Sequence, residues 1–310
     1  MSLDISIFGF AAALTLGIQL CGFVVAYLLQ TEVFYDILGG INFLCLAVLG
    51  IIERWSTTAS PRLIAVTTIF CLSRGWLLLF LAWRAHNRKG DSRFDGVKDH
   101  FFQFLVYWLA QAVWVFLISW PLIVVQALDS EKQQQPAAAG LSTYDIVMLL
   151  GFAVGVVTEI VADIQKTLWV NGGRKGTFCT VGLWNYSRHP NYFGEIFQWW
   201  CAWLLSYGSL ADYSTPSTAA IVLFALGSLS PLFTMNILLN MEPTGVWNAE
   251  GKSLKRYYDS EDGEAYKEYR ASTSPLIPMV GYKHIPLPVK RAVFFEWKRF
   301  EYNSNGKKKE

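Results

Sequence analysis

Long apolar runs separated by short polar stretches dominate the chain. A helix crosses the hydrocarbon core of a bilayer in about 20 residues. Seven runs match that length: 5–29, 34–52, 62–84, 101–127, 142–161, 192–211 and 217–239. The predicted fold class is therefore all-α, a polytopic integral membrane helix bundle of about seven transmembrane helices. The fifth run carries Glu159 near its end and leads directly into Asp163 and Lys166. Between the fourth and fifth lies "DSEKQQQPAAAG", residues 129–140, which reads as a flexible loop. Residues 241–301 form a mixed amphipathic tail in which Tyr257, Tyr258, Tyr266 and Tyr269 recur among charges. No internal repeat is visible.

Composition sharpens this picture. Of 310 residues, 53% are hydrophobic and only 16% charged, against about 25% charged in a soluble domain. A net charge of +2 is too small to argue for nucleic acid. The cysteines Cys21, Cys45, Cys71, Cys179 and Cys201 show no close pairing, and four lie in apolar runs. They read as reduced packing residues, not a disulfide framework or a zinc site. The apolar N-terminus has no Lys or Arg ahead of it, so it reads as a retained first helix.

The distribution of basic residues predicts orientation. Arg84, Arg88, Lys89, Arg93 and Lys98 lie in loop 84–100, and Lys166, Arg174, Lys175 and Arg188 in loop 162–190. The opposite loops offer Arg54, Arg62 and Lys132. This bias places 84–100, 162–190 and the C-terminal tail in the cytosol, with the N-terminus on the far side. The chain ends "KKKE", with Lys307 and Lys308 where a dilysine endoplasmic-reticulum retrieval signal has them. A solvated basic tail is the plainer alternative.

One stretch concentrates polar chemistry against an apolar segment: "WNYSRHPNYFGEIFQWW", residues 184–200. His189-Pro190 suggests a helix start, because proline is favoured at the first helical position. The free N–H groups of that turn attract an anion, and Arg188 adds a bidentate phosphate donor. Asn191, Tyr192 and Glu195 share a face of the same helix. Phosphates would repel Glu195, so it should meet a neutral amide or a ribose hydroxyl. A second cluster, "EIVADIQKTLW" at 159–169, places Glu159, Asp163 and Lys166 on one helix face. That cluster is either part of a nucleotide site or an ion-pair ladder at a helix end. The first is either a phosphate site or an interfacial belt of Trp, Tyr and Arg. No GxGxxG, P-loop, HExxH or CxxC pair occurs, and His86, His100 and His284 lack ligand-like spacing.

The string "GLWNYSRHPNYFGE" resembles the signature of the steroid 5-alpha-reductase C-terminal-like superfamily, in its DUF1295 branch. "ADIQK", "FYDILGGINF", "DSRFD", "WLAQAVWVFLISWP" and "YKEYRASTSPLIP" extend the resemblance over most of the chain. It implies a membrane oxidoreductase that transfers hydride from NADPH to a carbon–carbon double bond of a sterol, isoprenoid or enoyl lipid. By the same resemblance Asp163, Lys166, Arg188, His189, Asn191, Tyr192 and Glu195 match cofactor-pocket positions, and Tyr269 closes the pocket from the tail. Asp36, with Tyr35 or Tyr107 as proton donor, corresponds to the group that polarises the substrate. The implied organisation is an N-terminal substrate half at 1–128, a loop at 129–140, a cofactor half at 141–301 and a basic tail at 302–310. Two alternatives stand beside it: an S-adenosylmethionine-dependent membrane methyltransferase, which shares a related RHPxYxG element, and an inactive lipid-binding membrane protein. Glu195, directly after Gly194, follows the reductase pattern.

Overall fold

The computed structural model describes residues 6–52, 59–87, 91–132, 140–174, 178–211, 215–241 and 245–301. Among these the regular elements are helical: α1 (Ser6–Leu29), α2 (Tyr35–Ile52), α3 (Pro61–Asn87), α4 (Phe101–Lys132), α5 (Thr143–Asn171), α6 (Pro190–Ala211), α7 (Thr218–Gly227), α8 (Leu229–Leu239), α9 (Val246–Tyr258), α10 (Gly263–Ser272) and α11 (Leu287–Val293). Six segments are long and apolar enough to cross a membrane: α1, α2, Pro61–Trp83 of α3, Phe101–Leu128 of α4, α5, and α7 with α8 as one stretch, Thr218–Leu239. The protein is an all-α polytopic bundle.

Two expected spans differ. The fifth does not stop at 161 but continues to Asn171, because its polar residues find protein partners. Glu159 accepts from Gln198 Nε2 at 2.5 Å, and Asp163 from Asn191 Nδ2 at 3.1 Å. The sixth, α6, is a helix of 22 residues but is absent from the six apolar spans. Asn191, Glu195, Gln198, Ser206 and Ser209 dilute its apolar character.

The chain divides into two compact units, Met1–Ala153 with Trp199–Phe233, and Val154–Gln198 with Thr234–Glu310. Helices α5 and α6 each contribute residues to both units. Residues 133–139 of that loop and the basic tail 302–310, with Lys307 and Lys308, lie outside the described residues, as do Arg54, Arg88, Lys89 and Lys175.

In the first unit small residues let helices approach closely. A Cβ on Gly22 would meet Leu38 and Trp108 side-chain atoms at 2.5 Å. Buried amides cross between helices: Gln111 Nε2 donates to Gln19 Oε1 at 2.9 Å, and Gln19 Nε2 to Asn42 Oδ1 at 3.1 Å. Such bonds stabilise membrane bundles by about 0.6 kcal/mol each. Arg62, expected among the loop charges, is instead buried and ion-paired. It holds Asp145 with two hydrogen bonds, Nε to Oδ1 at 2.7 Å and Nη2 to Oδ2 at 2.6 Å. Asp145 also forms a capping box at the start of α5. Its N–H donates to Ser142 Oγ at 3.1 Å, and Ser142 N–H returns a bond to its Oδ2 at 2.9 Å. Gly208 makes room, since a Cβ there would lie 2.3 Å from Asp145 Oδ1.

In the second unit α5 and the start of α6 touch backbone to backbone. A Cβ on Gly194 would lie 2.6 Å from both Glu159 N and Gly155 O, and one on Gly155 would lie 2.8 Å from Gln198 N. The glycine of the "NYFGE" string is thus a packing residue. Its lack of a side chain brings the Asn191 turn of α6 against the Asp163 turn of α5.

Candidate cofactor cavity

The turn before α6 is fastened from three directions. Gly182 adopts φ 57°, a left-handed conformation that favours glycine, and opens a 3₁₀ turn over Gly182–Asn185. From α5, Gln165 Oε1 accepts from Leu183 N at 2.9 Å, and Ala162 O accepts from Trp184 Nε1 at 2.9 Å. From α10, Tyr269 donates its hydroxyl to Trp184 O at 2.6 Å. The next residues pair with the chain beyond α10: Arg188 N to Ser274 O at 2.8 Å, Met279 N to Tyr186 O at 3.2 Å, and Ser187 Oγ to Leu276 O at 2.7 Å. Helix α6 then begins at Pro190, as predicted. His189 stacks on Tyr192, with centroids 5.2 Å apart and planes 8° from parallel.

Trp184, Arg188, His189, Tyr192 and Tyr269 border a half-open cavity of about 360 Å³. Its lining carries the cations Lys166, Arg174 and Arg188 and, among the described residues, no carboxylate. His189, Asn191 and Tyr192 supply polar edges, and Trp169, Phe178, Trp184, Tyr257, Tyr266 and Tyr269 supply rings. The rings pack on one another, with Phe178 5.0 Å from Tyr266 and 5.1 Å from Tyr269. The Lys166 ammonium stands over two indoles, 4.4 Å from Trp184 and 4.8 Å from Trp169. Burial pushes the Cys179 thiol on the same wall above its ordinary pKa.

Of the expected cofactor residues, Lys166, Arg188, His189, Asn191, Tyr192 and Tyr269 meet at this cavity. Asp163 stands one bond behind, orienting the Asn191 amide. Asn191 Oδ1 is buried with no hydrogen-bond partner among the described residues, an acceptor carried by a lining residue. Glu195 is not part of the lining. The ion-pair ladder does not form: Glu159 and Asp163 bond to α6 side chains, and Lys166 lies on rings.

Asp36, Tyr35 and Tyr107 gather in the first unit. Tyr35 is buried among Phe94 and Trp108, each about 5 Å away edge-on, and donates its hydroxyl to the Tyr107 carbonyl at 2.8 Å. Asp36 accepts two bonds from Arg93 Nη2, at 3.1 and 2.9 Å. Burial of Arg93 opposes its charge, but Asp91 and Asp36 outweigh burial and raise its pKa. Arg93 was missed as Asp36's partner, although "DSRFD" contains it. Arg74 was missed too. It is fully buried in α3, with its guanidinium 4.7 Å from the Trp199 ring and 5.5 Å from Phe43. A lone arginine inside an apolar run was the available signal.

An all-α polytopic bundle, with a cationic, ring-walled cavity in its second unit, places the chain among integral membrane proteins. Among these, it belongs to the family described as protein of unknown function (DUF1295), which matches residues 22–273. No curated protein and no solved structure matches the chain.

Proposed function

We propose that the protein is an NADPH-dependent reductase of a carbon–carbon double bond in a sterol, isoprenoid or enoyl lipid. The carrying observation is the cavity wall: three cations, no carboxylate among the described residues and a cluster of aromatic rings. Three cations on a wall that no carboxylate lines, with Arg188 held by Glu296 from outside the lining, suit a pyrophosphate, and rings suit a base, whose stacking is worth about 1–3 kcal/mol. A volume of about 360 Å³ lies at the small end for ligand sites and suits one nucleotide half. The same wall disfavours S-adenosylmethionine, whose sulfonium would face Lys166, Arg174 and Arg188.

The donor set fits the cofactor. Arg188, Lys166 and Arg174 would hold phosphate oxygens, Asn191 Oδ1 would accept from a hydroxyl or amide, and the Tyr269–Phe178 ring pair would offer an aromatic face to a base. When bound, NADPH supplies the hydride. Reduction of the double bond also consumes one proton. Asp36, with Tyr35 or Tyr107, is the group proposed to polarise the substrate and deliver that proton. The endoplasmic reticulum, with a cytosolic C-terminus, is the proposed location.

The test is thermal unfolding of detergent-purified full-length protein with NADPH, NADH or S-adenosylmethionine. A ligand at 100 times its dissociation constant stabilises by about 2.7 kcal/mol. NADPH is expected to raise the Tm and S-adenosylmethionine to leave it unchanged. The reverse pattern would replace the reductase reading with the methyltransferase one.

A further inference from the structure

Arg188 is held from a part of the chain that the family match, ending at residue 273, does not cover. Its Nη2 donates to Glu296 Oε2 at 2.6 Å, and both side chains are largely buried, at 4% and 13% exposed. The same Glu296 oxygen accepts the Tyr282 hydroxyl at 2.8 Å, while Oε1 lies 3.7 Å from Arg270 Nη2. Burial and the adjacent carboxylate push the Tyr282 phenol well above its ordinary range, so it remains a donor. The backbone is shaped for this contact. Phe295, immediately before, adopts φ 61°, a left-handed conformation that costs a non-glycine residue about 1–2 kcal/mol. Glu296 N is tied back to Lys290 O at 3.2 Å.

The direction of approach separates two roles. A carboxylate occupying the phosphate seat would line the cavity. Arg188 does line it, whereas Glu296, Tyr282 and Arg270 do not. The acid therefore grips the guanidinium from outside the cavity. A long arginine side chain loses rotamer freedom when it binds, and a partner fixed by two further groups removes that cost in advance.

We infer that Glu296 is a positioning residue: it orients Arg188 toward an anionic ligand in the cavity, so the C-terminal segment 282–296 is a working part of the site. This rests on the nucleotide reading above.

Full-length protein in detergent, titrated with NADPH by calorimetry, tests it. Glu296→Gln is expected to weaken NADPH binding about 10- to 100-fold, the range seen when a group orienting a metal ligand is removed. Tyr282→Phe, which removes one of the groups holding Glu296, should weaken it by a smaller factor. Arg188→Ala combined with Glu296→Gln should bind no worse than Arg188→Ala alone, because the acid acts only through the arginine. A merely structural acid would instead give losses that multiply. Unchanged binding in Glu296→Gln, or tighter binding, would overturn the inference while leaving the nucleotide reading intact. Absence of NADPH binding by the unsubstituted protein would overturn both. Should Glu296→Gln not fold, the Tyr282→Phe and Arg188→Ala cycle decides by the same criterion.

Discussion

Asp36 shows how one residue carries two readings that experiment separates. Its carboxylate accepts from Arg93, and the pair is partly open, with side chains 19% and 34% exposed. A pair of that exposure contributes at most about 1 kcal/mol. Asp36→Asn is therefore expected to leave the Tm nearly unchanged and NADPH affinity near wild type. If Asp36 orients a proton donor, single-turnover NADPH oxidation with a competent lipid slows about 10²–10⁴-fold. A full-rate variant would assign Asp36 to pairing with Arg93. Tyr35 and Tyr107 differ in what they offer: the Tyr35 hydroxyl proton is committed to a backbone carbonyl, whereas Tyr107 is half-buried beside Phe94, 5.1 Å away.

At the scale of elements, the Arg62–Asp145 pair joins the first turn of α3 to the first turn of α5 while Asp145 caps α5. Removing one member of a buried pair leaves an uncompensated charge and costs about 3–5 kcal/mol. Asp145→Ala is expected to lose that much stability, read as a large fall in Tm. Gly208→Ala should destabilise through the same contact, because its Cβ would meet Asp145 Oδ1. A combined variant that loses no more than Asp145→Ala alone would show that one contact is shared. Equal and additive losses would break this account.

For the whole molecule, the path of the chain predicts a crossing that hydropathy leaves out. Residues 186–188 bond directly to residues 274–279, so both lie on one side of the membrane. Between them Thr218–Leu239 is long and apolar enough to cross once. An even number of crossings is needed to return, and α6, at about 1.5 Å per residue over 22 residues, is long enough to supply the second. Its polar residues face protein where they are buried, as Gln198 and Ser206 are. Cysteines introduced at Thr215 and at Lys283 should therefore be labelled from opposite sides of the membrane. Labelling of both from one side would remove α6 from the set of spans.

The class of fold was legible from run length alone, because lipid admits few ways to satisfy a backbone and the apolar runs have helix-spanning lengths. The cluster at 188–192 was legible too, since a proline after a histidine marks a helix start and fixes which side chains share its first turn. Neighbourhood over long sequence separation was not. Glu296 reaches Arg188 across more than a hundred residues by way of a left-handed Phe295, and no local pattern encodes that meeting. Nor does spacing reveal that Lys166 rests on two indoles while its apparent ion-pair partners turn to α6. Periodicity determines which face a residue occupies. Only the packing of Gly155 against Gly194, and of the tail against the turn before α6, decided what each face meets.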